Sequence, residues 1–222
     1  MPDPKAGFSP TERTRVKRLP DRGKYDRETV YAILDAGLIC HVGYTIDGLP
    51  YVTPTACWRE GDHLYWHGSS ASRMLRTQSA GIPVCITVTH LDGLVLARSG
   101  FHHSMNYRSV MAMGDAELVQ DPDEKSAALQ AFVERLVPGR WGLIRPPTAQ
   151  ELKATSVLRL HLQEISAKVR TGPPIDDDAD YALPVWAGVV PVSMTVGAPQ
   201  PDARLTAEGA QPPDVTSIRL GR

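Results

Sequence analysis

Short β-branched and aromatic runs, separated by glycine-containing turns, fill residues 38–119, and this alternation is what most constrains the fold. Leu38–Tyr44 reads as a strand, and Asp47-Gly48 is a tight-hairpin signal leading into Pro50–Trp58. A second turn at Glu60-Gly61-Asp62 leads to His63–His67. Strand character resumes at Val84–His90. Asp92-Gly93 offers another hairpin before Leu94–Leu96, and Ser109–Val119 and Val157–Ile165 follow as long strands. Five or six such strands without regular βαβ alternation predict a mainly β fold with some α. The expected form is a six-stranded antiparallel split barrel with helices packed outside.

Helix signals fall between the strands. Asp26 caps a segment carrying Val30, Ile33 and Leu34 on one face, stopped by Gly37. Ser69–Arg76 breaks the β pattern and opens a short helix. Asp121, Pro122 and Glu124 make a strong start for a helix ending at Pro138-Gly139, and Thr148 with Glu151 forms a capping box. Residues 1–25 read as an extended polar arm, 26–192 as the barrel domain, and the Pro/Ala/Gly-rich stretch 193–222 as a disordered tail.

Lys+Arg number 24 and Asp+Glu 25, a formal charge of −1, so no electrostatic case exists for a nucleic-acid partner. The basic cluster Arg13, Arg15, Lys17, Arg18, Arg22 and Lys24 reads as a solvated or phosphate-seeking arm. No secretory or membrane-spanning segment is visible, so a cytoplasmic protein is expected. Cys40, Cys57 and Cys85 sit in apolar runs and read as reduced core residues.

Three segments carry candidate chemistry. His67-Gly68-Ser69-Ser70-Ala71-Ser72-Arg73 joins a strand to a helix, and its hydroxyls, helix-start amides and guanidinium suit a phosphate. A mere Ser cap accounts for the same residues. Phe101–Ser109 concentrates polar and aromatic side chains before an apolar strand, as either a ligand-facing or an ordinary barrel rim. Pro54 removes a ladder donor inside its strand, which suits an edge or a backbone turned toward a flat heterocycle. His102 and His103 are adjacent and face opposite ways, so no metal site is expected.

Taken in order, Arg18–Tyr25, Gly48–Pro54, Tyr65–Arg73, His103–Val110, Lys168–Arg170 and Trp186–Pro191 resemble the FMN-binding split-barrel superfamily. The resemblance is to its pyridoxamine 5′-phosphate oxidase-related, flavin-nucleotide-binding or nitroimidazole-resistance branch, and it spans roughly residues 15–192. It implies a homodimer holding FMN at the subunit interface. Val52, Thr53, Pro54 and Thr55 would line the ring system, and His67, Gly68, Ser72, Arg73 and Met74 would lie at the phosphate turn. Asn106, Tyr107, Arg108 and Ser109 would add polar contacts, and Trp141 would reach across from the other subunit.

Relatives that oxidise pyridoxamine phosphate carry Ser-Arg-Lys at the phosphate, where this chain has Ser72-Arg73-Met74; this weakens anion binding or leaves the missing charge to Arg76 or Arg108. Arg159-Leu160-His161 echoes their substrate-holding Arg-x-His pair, but Glu151-Leu152-Lys153 lacks the accompanying Trp, so that activity is not expected. The resemblance instead implies an oxidoreductase that takes electrons from a small-molecule donor and reduces a small planar acceptor, nitroaromatic or quinone-like. His67 is the candidate for substrate-side chemistry, as a proton donor or polar contact, and a plain hydrogen bond to the phosphate or the loop accounts for it equally. A non-catalytic flavin carrier or sensor is the alternative. A haem or deazaflavin in the same pocket is a third reading, with His41, His102 or His103 as candidate axial ligands.

Overall fold

The computed structural model describes residues 7–205, 211–218 and 220–221; the arm and tail expectations for the other residues lie outside it. In chain order the elements are β1 (Gly23–Lys24), α1 (Arg27–Asp35), β2 (Ile39–Ile46), β3 (Leu49–Glu60), β4 (His63–Ser69), α2 (Arg73–Gln78) and β5 (Pro83–Leu96). Then come β6 (Ser104–Asp115), β7 (Glu117–Leu118), α3 (Pro122–Leu136), α4 (Ala149–Ala154), β8 (Thr155–His161), β9 (Glu164–Arg170) and β10 (Gly188–Pro191).

The strands form one curled antiparallel sheet in the order β1-β9-β6-β5-β2-β3-β4-β8-β7, with β10 pairing β5. A mainly β fold with few helices is therefore present, but the strand count is ten rather than six. The curl originates in β3. Its first part, Leu49–Ala56, pairs with β2, and its last residues, Cys57–Glu60, pair with β4. The strand thereby carries the sheet round a corner.

Three expected boundaries are corrected: the Ser109–Val119 run divides into β6, which starts at Ser104 and ends at Asp115, and β7, which pairs with β8 instead. Asp92-Gly93 is not a hairpin turn: β5 runs straight through it, with a register shift against β6 between Leu91 and Gly93. Such a bulge leaves one residue unpaired. Arg108 fixes it by donating from Nε and Nη2 to the Asp92 carboxylate at 2.9 and 2.8 Å. Glycine is needed at 93 for closeness, since a Cβ there would lie 2.9 Å from Val189 Cγ1 of β10. The Val157–Ile165 run is likewise two strands, β8 and β9. It turns at Leu162-Gln163, where the Leu162 N–H donates to Asp62 O at 2.8 Å.

The helices start where the caps expect. Asp26 accepts from the Thr29 N–H, Asp121 accepts from the Glu124 N–H, and both bonds of the Thr148/Glu151 box form. Val30, Ile33 and Leu34 of α1 are buried against an inner layer that includes Cys40, Val42, Ile86, Val110, Ile165 and Ala167. Leu64, Trp66, Leu158 and Leu160 face the same core from the other side of the curl. Three consecutive β4 residues, Leu64, Tyr65 and Trp66, are buried because both faces of that strand are covered. Its outer face meets a second cluster of Trp58, Tyr65 and Val157 under Ala128, Leu129 and Phe132 of α3. Inside, the Trp66 indole donates to Gln78 Oε1 at 2.9 Å, partnering an N–H that no water could reach.

The tail passes back along the body: the Gly221 N–H donates to Ala36 O at 2.8 Å, and Arg108 Nη2 donates to Gly221 O at 2.8 Å. No helix among the described residues is long and apolar enough to cross a membrane.

β6 and β8 approach each other across the core at Gly114, where an added Cβ would sit 2.8 Å from Leu160 Cδ1. Leu160 is 1% exposed and has nowhere to move. Gly114→Ala is expected to destabilise the fold by about 1–3 kcal/mol, the usual cost of overpacking, and Gly114→Ala/Leu160→Val to regain part of it. Urea unfolding of the wild type and both variants measures this.

Candidate functional site

On the β2–β3 ladder the Tyr44 and Tyr51 rings stack at 5.7 Å with an interplanar angle of 19°, and Tyr44 Oη lies 3.1 Å from Thr53 Oγ1. The Arg73 guanidinium sits over the Tyr51 ring, 5.0 Å from its centroid. Arg73 opens α2, and the Ser72 hydroxyl at its N-cap makes no capping bond, which leaves it free to meet a ligand. Arg73, Tyr51, Thr53 and Ser72 thus make a small cationic and hydroxylic rim beside two stacked aromatics. Met74 takes no part, being buried in the core. The cation missing there relative to the Ser-Arg-Lys pattern would have to be desolvated to fit.

The run Val52–Thr55 is divided between two faces, as strand alternation requires. Thr53 and Thr55 pair with the buried Val42 and Cys40 and face inward. Val52, 68% exposed, and Pro54 face outward. Pro54 lies in register with His41, His41 with Thr87, Thr87 with Met111 and Met111 with Ser166, a continuous outer rung across five strands. Exposed Ile39 and Val52 flank His41 on this face.

His67 occupies a different place. It lies on the outer face of β4 under α3, with its ring centroid 5.6 Å from that of Trp58 and 4.6 Å from that of Phe132. Its Nδ1 is buried without a hydrogen-bond partner, and burial pushes the imidazole below its ordinary pKa. The ring is therefore neutral near pH 7 and held by apolar contacts. Gly68 follows it, in ordinary contact with Leu75.

The β6 residues are engaged within the chain. Asn106 is buried; its Oδ1 accepts from Arg170 Nη1, and its Nδ2 donates to Gly172 O at 3.1 Å. Arg108 is held by Asp92 and Gly221, so it is not the cation that replaces the one absent at 74; Arg76 remains, exposed in the last turn of α2. Ser109 Oγ donates to Lys168 O at 3.3 Å, and Tyr107 is half-buried beside Arg170 on the neighbouring strand. Trp141 lies in a short 3-10 turn whose backbone N–H donates to Glu134 Oε1 at 2.7 Å.

The geometry brings Thr53, Ser72 and Arg73 together and keeps His67 and Trp141 in other surroundings. The Tyr44–Tyr51 stack escapes sequence reading because it depends on the register of two strands. Of the other histidines, His103 Nδ1 lies 2.8 Å from Ser99 O, and His102 Nε2 lies 3.4 Å from Asp177 Oδ2. Among the described residues no three His, Cys, Asp or Glu side chains are grouped to hold a metal ion. All three cysteines are free, with Cys40 and Cys57 buried.

Residues 26–169 match the family model described as pyridoxamine 5′-phosphate oxidase. Among solved structures, the flavocytochrome Anf3 from Azotobacter vinelandii is 49% identical, with 96% of this chain and 99% of that one covered and a TM-score of 0.90. The FAD and haem binding protein from Mycobacterium smegmatis is 37% identical over 89% of this chain and 97% of that one, with a TM-score of 0.85. A candidate 5-nitroimidazole antibiotic resistance protein from Bacteroides thetaiotaomicron is 25% identical over 66% of this chain and 86% of that one, with a TM-score of 0.55. No curated protein matches the sequence. A family match over well more than half its length, together with near full-length identity to solved relatives, makes this chain a member of the pyridoxamine 5′-phosphate oxidase family.

Proposed function

We propose that this chain binds a flavin nucleotide together with a haem and works as a small redox protein. The observation that carries the reading is the 49% identity, over nearly the whole of both chains, to a protein named as a flavocytochrome. The mycobacterial relative, named for FAD and haem, supports the same pair and favours FAD over the FMN expected from sequence.

The residues present fit both groups. Arg73, the free Ser72 hydroxyl and the Tyr51 ring offer a phosphate one guanidinium and a hydroxyl at a helix start. For haem the fit rests on His67. Iron needs a neutral imidazole, and burial keeps this one neutral, between two aromatic rings in a water-poor setting. Its orphaned Nδ1 is the kind of buried polar atom that a bound group or an ordered water would satisfy. His67 thereby displaces His41 and His103 as the preferred axial candidate, because His103 Nδ1 faces Ser99 O and His41 stands exposed, while His102, whose Nε2 is likewise buried without a hydrogen-bond partner, lies 3.4 Å from the Asp177 carboxylate.

Bound here, a flavin supplies one- and two-electron transfer and a haem one-electron transfer. The chain's own part is to orient and to exclude water. Arg73 and the Ser72 hydroxyl would hold the anionic end, and Trp58 and Phe132 would keep the imidazole dry; the outward side chains Val52 and Pro54 give a flat apolar surface on the opposite face of β3 from Thr53. A nitroaromatic or quinone-like compound is the acceptor class this reading carries, and a soluble small-molecule donor completes it. The exposed apolar residues Ile39 (53%), Val52 (68%) and Met105 (53%) suit burial against a second copy, so a homodimer belongs to the same proposal.

Three outcomes are expected. An absorbance spectrum of the freshly purified protein shows flavin bands and an intense haem band; a colourless protein that takes up neither group at micromolar concentration overturns the reading. Arg73→Gln weakens flavin binding roughly tenfold, the worth of one charge-assisted hydrogen bond. His67→Ala removes the haem band and leaves the flavin in place. If both groups bind but donor-to-acceptor turnover is absent, a carrier or sensor is left.

His67 and His63 are both held below the ordinary histidine pKa, so the unfolded chain takes up protons that the folded one refuses. Stability of the cofactor-free chain is thus complete above about pH 6.5 and falls as pH drops below it. Thermal unfolding from pH 7.5 to 5 checks this, and His67→Phe makes the decline shallower.

A further inference from the structure

Strands β3, β4 and β8 bring Glu60, His63 and His161 into one rung, since Glu60 pairs with His63 and His63 with His161. Partners in register show their side chains on one face, so a carboxylate and two imidazoles stand side by side on strands about 4.8 Å apart. The backbone brings the two histidines closer still. The Leu162 N–H donates to Asp62 O at 2.8 Å, which makes Asp62 and Leu162 the hydrogen-bonded pair. The next pair, His63 and His161, is then the non-hydrogen-bonded one, where facing side chains are nearest. The two rings accordingly lie 4.8 Å apart, centroid to centroid, at an interplanar angle of 23°.

Among the described residues nothing takes up the nitrogens of these rings. His63 has Tyr65 as a ring neighbour at 6.2 Å, but neither it nor His161 makes a hydrogen bond or an ion pair. Other imidazoles of the chain find oxygens: His90 Nε2 lies 2.9 Å from Ile33 O, and His103 Nδ1 lies 2.8 Å from Ser99 O. Both rings are half-buried with their nitrogens open to solvent, unlike the sealed Nδ1 of His67. Burial, and then the facing His161, push His63 below the ordinary histidine range, so it offers a neutral imidazole near pH 7. The surrounding charge favours a cation. Glu60 is exposed and forms no ion pair, and Asp62 and Glu117 lie close by. The positive neighbour Arg159 is spent on Glu117 and Glu124.

We propose that His63 and His161 chelate one late first-row divalent metal ion, with Glu60 as third protein ligand and water completing the shell. Imidazole suits zinc, nickel and copper(II), whereas magnesium and calcium ask for oxygen alone. Two nitrogens held by one metal at 2.0–2.1 Å stand about 3 Å apart, and rings whose centres are 4.8 Å apart reach this by tilting toward each other. Glu60 stands back from the pair, since among the described residues no three such side chains are grouped; rotation of this exposed side chain brings its carboxylate in. The bound ion ties β8 to β4 and β4 to β3. The site rests on neither the flavin nor the haem reading.

The test uses the full chain as purified, cleared of loosely held metal with EDTA and titrated calorimetrically with zinc, nickel and copper(II) chlorides. Expected is one equivalent per chain, held most tightly for copper(II) as the Irving–Williams order requires. Binding is roughly a hundredfold weaker in His63→Ala and in His161→Ala, and roughly tenfold weaker in Glu60→Gln. Electron paramagnetic resonance of the copper(II)-loaded wild type shows coupling to two imidazole nitrogens, and that of each histidine variant to one. Added zinc raises the thermal midpoint of the wild type and not of the histidine variants, because the site exists only in the folded chain. Glu60→Gln changes an exposed residue and guards against a folding defect. No saturable uptake at millimolar metal, any of the three variants within twofold of wild type, or a copper spectrum with fewer than two nitrogens would each overturn the proposal. Metal binding lost in His67→Ala but kept in His63→Ala would place the ion at the buried imidazole and overturn it equally.

Discussion

Strand β3 is the constraint on which the rest of the molecule depends. It is twelve residues long and belongs to two ladders in succession, giving its first part to β2 and its end to β4. Bent sheets have an inside, and here the inside is filled by Cys40, Val42, Ile86, Leu64, Trp66 and Leu160. Candidate ligand-facing polar groups are thereby pushed to the rim at Thr53, Ser72 and Arg73, to the outer face at His41, Thr87 and Ser109, or under α3 at His67, while Gln78 stays inside as the acceptor for Trp66. Pro54 fits in this strand because Leu49–Ala56 pairs with β2 alone among the described strands, which leaves an unpaired edge where a lost ladder donor is tolerated.

Long strands also decide where charge is spent. β5 serves β2 along one part of its edge and β10 along another, and the bulge between them is held by the Asp92–Arg108 pair. That pair removes from ligand duty an arginine which, read as a letter in the sequence, looks available for phosphate. Whether a cation can serve a ligand is settled by its carboxylate neighbours, and these come from strands far away in sequence.

Local chemistry was therefore legible and long-range chemistry was not. The starts of α1, α3 and α4 could be read from Asp26, Asp121 and Thr148, because a cap involves residues three apart. The order of the strands through β4 was visible in the turn residues. Asp92-Gly93 misled because a bulge and a hairpin ask for the same residue types, and only a partner strand tells them apart. The split of Val157–Ile165 was hidden by unbroken alternation through a turn that Asp62 stabilises from a distance. Of the candidate site, Ser72 and Arg73 stood out as a strand-to-helix motif. Their aromatic neighbours Tyr44 and Tyr51 did not, and neither did the aromatic housing of His67, half of which comes from α3, more than sixty residues on.

The pairing of β4 with β8 joins Ser69 to Thr155, and that of β1 with β9 joins Gly23 to Lys168. On a ribosome, the meander β2–β3–β4 is complete long before either partner exists, so the nascent chain exposes an unpaired β4 edge carrying Leu64 and Trp66. Translation at ~5–20 residues per second makes that interval several seconds. The corner in β3 that organises the finished barrel thus also defines a window in which the unfinished one needs shelter from its neighbours on the polysome.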